Sequence, residues 1–465
     1  MLLSDPAGKP PAAAVPYRSL SHQRTFAVVA LGAALLLFLL RFAFFRYAFP
    51  PVNVDEASFF SPAYNLATEG RLASPVHRLF LPGAANFTYW MPPFYLVLLG
   101  LWLKLTTPTL LAAKCFSTLL ILVSAWTVSK LTHHRTGKIW LSVLLLICPF
   151  VLITAAFVRM EALGILLIIL SMLAVRRELR PHWKGLLAGL CLMTHPALLA
   201  CAAALALTEC RRGWKPFLLF SIATLIVISP YIWYILQQPD TFLAQMQLQF
   251  ARKGKASITD LQVSYILQSV PLCALALIWL IRTRMDRDIR TFLVTGTVLT
   301  LVVVLKSNEF NYQVYTIPYV LGTLALFLER NGHSRKGLMV PAVMGCFFLV
   351  LLAAKVRKNG FQTDRPYRQM TAWLDGHPAW KGKTIYVGGN PDLAAHLIDR
   401  GADVQRDIPI ASAQAKSYDH FTFVIEVLSL DEAVTDDGAK PWLKWPLHTT
   451  FTPTGANYRL HLYQR

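Results

Sequence analysis

Charge is what this sequence has least of. Only 15% of its 465 residues are Asp, Glu, Lys or Arg, where soluble domains carry about 25%. With 55% hydrophobic residues and a mean hydropathy of +0.45, the shortage excludes an ordinary soluble globule and reads as a polytopic membrane protein. Acidic side chains are scarcer still: 25 Asp and Glu stand against 45 Lys and Arg, a net charge of +20. In a soluble chain that excess would suggest nucleic acid. Here the basic residues fall in short clusters between apolar runs, which is how cytoplasmic loops of membrane proteins look, so no nucleic-acid partner is expected. The seven cysteines (115, 148, 191, 201, 210, 273 and 346) lie in or at the ends of apolar runs, with no CxxC. They imply neither a disulfide framework nor a zinc site. There is no internal repeat and no GxGxxG. Gly388-Gly389-Asn390 lacks that spacing and reads as a plain strand-to-helix turn.

What the chain does have is apolar runs. A spanning helix needs roughly 20 apolar residues. Runs near 25–45, 109–130, 139–157, 161–175, 214–236, 262–281, 290–306, 314–328 and 337–355 are candidates. The run 184–209 is ambiguous, and charge resolves it. With the N-terminus inside, the clusters Lys130/Arg135/Lys138, Arg176/Arg177/Arg180/Lys184, Arg211/Arg212/Lys215, Arg282/Arg284/Arg287/Arg290 and Arg330/Arg335/Lys336 share one side only if 184–209 crosses twice. It would then be a hairpin broken at His195-Pro196, where proline removes a backbone donor. About eleven transmembrane helices result. The stretch 91–107, interrupted by Lys104, would invert the pattern if it crossed, so it is expected as an amphipathic helix in the outer interface. Residues 58–70 read as another.

The expected organisation is a cytosolic tail (1–24), a transmembrane domain (25–355) whose long outer loop spans 47–108, and a soluble extracytoplasmic α/β domain (356–465). In the last, Lys383–Val387, Phe421–Val427 and Tyr458–Tyr463 pattern as strands and Pro391–Arg400 as a helix.

Against this apolar background the pair Asp55-Glu56, just after the first span, stands out. Carboxylates at a membrane boundary are costly and mark functional sites. The same outer face collects His77, Arg78, Arg159, Glu161, His195 and Lys306, with Arg252, Lys253 and Lys255 as a solvated basic run. Tyr312 and Tyr315 are expected in the interfacial aromatic belt. A carboxylate can take a proton from a hydroxyl, and cations can meet a growing negative charge. One membrane reaction uses both: transfer of a sugar from a polyprenyl-phosphate carrier to an acceptor hydroxyl. Asp55 would be the base, with Glu56 beside it. Arg159, His195, Lys306 or Arg78 would meet the leaving phosphate, and His77 lies in the same loop.

The order of motifs resembles the GT-C class of glycosyltransferases. Asp55-Glu56 follows a first span. Ala67-Thr68-Glu69-Gly70-Arg71, Met91-Pro92-Pro93-Phe94-Tyr95, Arg159-Met160-Glu161-Ala162 and Thr194-His195-Pro196 come after it. The branch it resembles holds the lipid A aminoarabinose transferases, the protein O-mannosyltransferases and the rhizobial core-sugar transferases, over about 20–330. The resemblance implies a polyprenyl-phosphate sugar donor, inversion at the anomeric centre, the motif carboxylate at Asp55 and the second acidic position at Glu161. Some branches carry Asp at that second position, and some Lys where His195 stands. No cofactor is required by the sequence; a divalent metal held by Asp55 and Glu161 stays open. Expected partners are the lipid-linked donor, a lipid, glycan or protein acceptor, and membrane lipids, in a bacterial inner or plasma membrane. The competing reading is a polytopic transporter or lipid flippase, against which the spans lack mid-membrane charges and the halves do not resemble each other.

Overall fold

The computed structural model describes residues 17–45, 56–78, 81–154, 157–253, 263–307, 310–332, 334–359, 365–376, 381–388, 391–406, 423–429, 441–452 and 458–465. Asp55 and Lys255 therefore lie outside the described residues. The chain is mainly α-helical. A first helix, α1 (Tyr17–Phe45), is followed by α2 (Glu56–Glu69), α3 (Phe94–Leu105), α4 (Leu110–Val128), α5 (Arg135–Ile147), α6 (Pro149–Thr154) and α7 (Glu161–Arg176). Next come α8 (Pro181–Leu192), α9 (Leu199–Arg212), α10 (Trp214–Leu236), α11 (Pro239–Lys253), α12 (Val263–Arg282), α13 (Arg287–Ser307), α14 (Thr316–Asn331) and α15 (Arg335–Asn359). Among the described residues, four stretches are long and apolar enough to cross a membrane: Leu110–Leu131, Trp214–Leu236, Arg287–Lys306 and Gly337–Ala354. The protein is thus an integral membrane protein. Several other apolar helices are short because proline or a polar break ends them early. Pro149 divides α5 from α6, and His195-Pro196 divides α8 from α9.

The break at His195-Pro196 makes a hairpin. Lys184 near the start of α8 reaches Glu209 near the end of α9 at 2.5 Å, both fully buried. The two helices therefore run antiparallel with His195 at the tip. Gly185 and Gly189, one turn apart, let α8 lie against α10: a Cβ on Gly189 would stand 2.6 Å from Val227 Cβ, and one on Gly185 would strike the Phe220 carbonyl. Close backbone approach at small residues is the usual way helices associate in lipid. Thr224 Oγ1 adds an interhelical bond to the Gly185 carbonyl at 3.0 Å.

The basic loops meet at the open end of that hairpin. Arg176 pairs with Glu329 and bonds the Leu131 carbonyl, the backbone N–H of His133 donates to Glu329 (3.0 Å), Arg212 pairs with Asp288, and Arg330 reaches the Arg284 carbonyl. A single crossing through 184–209 could not bring these loops together. The opposite end carries α2 and α3. The N–H of Phe94, which opens α3, donates to Met193 at the hairpin tip (2.8 Å). Trp102, towards the other end of α3, donates to the Ala112 carbonyl in the first turn of α4 (2.8 Å). Both ends of α3 thus sit at the same end of the bundle, and α3 does not cross it.

After α16 (Arg365–Gly376) the chain forms a small α/β unit. Strands β1 (Thr384–Gly388), β2 (Asp403–Arg406), β3 (Phe423–Ser429), β4 (Leu447–Phe451) and β5 (Tyr458–Gln464) make one sheet in the order β2-β1-β3-β5-β4, and helix α17 (Pro391–Asp399) connects β1 to β2. β1 is parallel to β2 and β3, while β5 is antiparallel to β3 and β4. The parallel β1–β2 pair needs the crossover helix α17, and α17 packs on α2.

Candidate active site

The site end of the bundle is built from the first turns of α2, α4 and α7 and the tip of the α8–α9 hairpin. Glu56 opens α2, where a carboxylate suits the positive helix end. Its side chain is 2% exposed. Glu56 Oε1 accepts the backbone N–H of Val158 at 3.0 Å and lies 3.4 Å from Lys114 Nζ. Lys114 projects from the second turn of α4 and is 3% exposed. The next residue after Val158 is Arg159. Its guanidinium grips Glu161 through Nε–Oε1 (3.0 Å), Nε–Oε2 (3.1 Å) and Nη2–Oε1 (2.6 Å), and lies over the Phe59 ring of α2. This fork geometry needs arginine. Glu161 is fully buried and begins α7.

Gly164, one turn further along α7, carries no side chain because Tyr315 occupies the space. A Cβ there would stand 2.5 Å from Tyr315 Cε1. Tyr315 and Tyr312 both pack on the imidazole of His195, with ring centroids at 5.4 and 4.7 Å. His195 is itself held at the hairpin tip, where Nδ1 accepts the N–H of Ala197 at 3.0 Å. Tyr312 and Tyr315 are therefore buried in the site and not in an interfacial belt; the 3-10 turn Phe310–Tyr315 rotates both rings inward. The hydroxyl of Tyr315 and the side-chain carbonyl of Gln313 are buried without a hydrogen-bond partner among the described residues. Such atoms are costly to leave unmet. Tyr95 of α3 closes the group. Burial raises its phenol well above the ordinary range, its bond to Ser117 (3.3 Å) opposes that, and the carboxylates of Glu161 and Glu56 raise it further.

The structure thus brings together Glu56, Arg159, Glu161 and His195, and adds Lys114, Tyr312 and Tyr315. Lys306 stands exposed at the end of α13, with no carboxylate partner among the described residues. His77 and Arg78 have partners outside this group. His77 is buried against Trp90. Arg78 pairs with Asp403 of the C-terminal unit at 2.8 Å, and Asp403 also accepts from Thr384 at 2.9 Å. That unit reaches the site end a second time, where Asp399 of α17 accepts the N–H of Leu110 at 2.6 Å and so caps α4, the helix that carries Lys114. His396 of α17 is buried, and its imidazole is held neutral, well below its ordinary pKa, by burial and then by the charges of Lys114 and Arg400. For a divalent cation, no group of three or more ligand-type side chains occurs among the described residues, and both Glu161 oxygens face Arg159.

A helix bundle with a buried hairpin and a structured first loop, beside a small α/β unit, is a polytopic membrane architecture. Among solved structures the chain is similar to ArnT from Cupriavidus metallidurans. Against the apo state the TM-score is 0.56 at 13% identity, over 94% of this chain and 98% of that one. Against the structure bound to undecaprenyl phosphate it is 0.53 at 12% identity, with the same coverage. AglB from Archaeoglobus fulgidus, in complex with an inhibitory peptide and a dolichol-phosphate, gives 0.46 at 10% identity over 86% of this chain and 69% of that one. No family model matches the sequence, and no curated protein matches it. At these identities the ArnT likeness is one of fold.

Proposed function

We propose that this protein is an inverting glycosyltransferase that moves a sugar from a polyprenyl-phosphate carrier to an acceptor hydroxyl. The observation that carries the reading is the convergence of Glu56, Arg159, Glu161 and His195 at one buried end of a bundle with the fold of a protein crystallised with undecaprenyl phosphate. Asp55, beside Glu56, takes the proton of the acceptor hydroxyl. The acceptor oxygen bonds to the anomeric carbon from the face opposite the carrier. The bond from that carbon to the phosphate oxygen breaks, and its electron pair leaves with the phosphate. Cations then stabilise the leaving group. Lys306 fits that role because no carboxylate neutralises it among the described residues, whereas Arg159 must be shared with Glu161. His195 joins the substrate-facing set, whereas His77 and Arg78, engaged with Trp90 and Asp403, lie outside it. On the charge pattern the site faces the extracytoplasmic side.

The test uses proteoliposomes with radiolabelled polyprenyl-phosphate sugars and a crude envelope acceptor, in magnesium or in chelator. Label reaching the acceptor with wild type but not with Asp55→Asn is the expected result, and the chelator arm decides whether a divalent cation takes part. An active Asp55→Asn protein refutes Asp55 as the base. Movement of intact labelled lipid across the bilayer without cleavage would replace the proposal with a flippase.

A further inference from the structure

A cavity of about 260 Å³ opens at the end of the bundle opposite the candidate active site. It is lined by Arg211 of α9, Ile281 of α12, and Arg290, Thr291, Val294 and Thr295 of α13. Its distance from His195 follows from α9, which runs 14 residues from the hairpin tip to Arg212, about 20 Å at helical rise. It is therefore a separate site.

Its charge is unbalanced. The carboxylates nearest in sequence are already taken: Asp288 by Arg212 at 2.5 Å, and Glu209 by Lys184. Arg211 bonds only the Thr291 hydroxyl, at 2.9 Å, among the described residues. Arg290 makes no side-chain hydrogen bond or ion pair among them. Two guanidinium groups and two threonine hydroxyls thus share one recess with no carboxylate in its lining. The wall is apolar and continues outward. Ile281 is exposed, as are Ile278 and Leu275 above it on α12 and Val298 and Val302 on α13. These spacings put each set along one helix face, so an apolar track leads away from a cationic recess into the hydrocarbon.

We propose that this recess binds the phosphate headgroup of an anionic phospholipid, whose acyl chains lie along the α12–α13 track. The guanidinium pair supplies planar donors to phosphate oxygens, and basic pockets between membrane helices are suited to anionic head groups. The volume is below that of pockets for whole drug-sized ligands, which suits a headgroup whose tails remain outside.

The experiment titrates delipidated full-length protein in detergent, by native mass spectrometry, with phosphatidylglycerol, phosphatidylcholine or inorganic phosphate. Phosphatidylglycerol is expected to bind in preference to phosphatidylcholine. Arg211→Gln and Arg290→Gln should each weaken it about fivefold, since a basic side chain near an anionic surface is worth roughly 1 kcal/mol. Arg282→Gln, at the same end but outside the lining, should leave binding unchanged. Thr295→Leu, which fills the recess while keeping both charges, gives a second route if an arginine variant does not fold. Equal weakening by Arg282→Gln, no preference for the anionic lipid, or occupancy by inorganic phosphate in place of the lipid would each overturn the proposal.

Discussion

Replacing Lys114 by Met removes one charge from a buried pair, and the structure sets what should follow. Lys114 Nζ and Glu56 Oε1 are 3.4 Å apart at 3% and 2% exposure. At an effective dielectric near 20 their attraction is about 5 kcal/mol. Burying both ions costs several kcal/mol each, so the intact pair contributes little net stability. Removing one partner is different, because Glu56 would stay buried with the Val158 N–H and no lysine. The expected loss is about 3–5 kcal/mol, and Glu56→Gln should cost a similar amount by stranding Lys114. The double variant Lys114→Met/Glu56→Gln carries neither charge, so it should recover most of the loss while remaining inactive in the transfer assay. Unfolding midpoints of the purified proteins in denaturing detergent measure all three. A double variant as destabilised as the two single losses combined would show that the residues are not energetically paired, and the reasoning would fail.

Three more outcomes follow from the geometry. The pKa of His396 is lowered by burial, so the unfolded chain binds more protons than the folded one below about pH 6.5. Stability should be full above that pH and fall as pH drops through it; melting curves between pH 5 and 7.5 should show this, with a flatter profile in His396→Leu. Asp399, raised by burial, acts in the opposite sense. Gly164→Val would push Tyr315 off the first turn of α7, costing about 1–3 kcal/mol and disturbing the His195 stack; unchanged melting and activity would refute the close fit. Arg78→Ala breaks an ion pair whose members are 35% and 40% exposed, so it should cost less than about 1 kcal/mol of stability in melting experiments, and a larger effect would mean that Arg78 anchors the C-terminal unit.

Much of the bundle was legible because its signals are local. Apolar runs located the helices, and basic clusters demanded a hairpin at His195-Pro196, which the Lys184–Glu209 contact bears out. Lys114 was hidden by its own surroundings: it sits singly inside Leu110–Val128, where only the cost of a lone charge in an apolar run could have flagged it. The inward turn of Tyr312 and Tyr315 depends on a 3-10 segment that periodicity does not encode. β2 has only the four residues Asp403–Arg406 without alternation, and β4 is broken by an irregularity between Leu447 and Thr449. The Arg78–Asp403 pair joins residues 325 positions apart, beyond any local pattern.

The length of α8 has a geometric result. Twelve residues rise about 18 Å, whereas the hydrocarbon slab is about 30 Å thick. With the basic residues around Lys184 and Arg211 at one headgroup boundary, the hairpin tip stops about 12 Å short of the other. His195 and the groups around it are thus sunk within the slab, at a depth a molecule dissolved in lipid reaches from the side. Under the proposed transfer, the bond to the carrier would break where bulk water has little access, and the hairpin's end would set how far competing hydrolysis is held back.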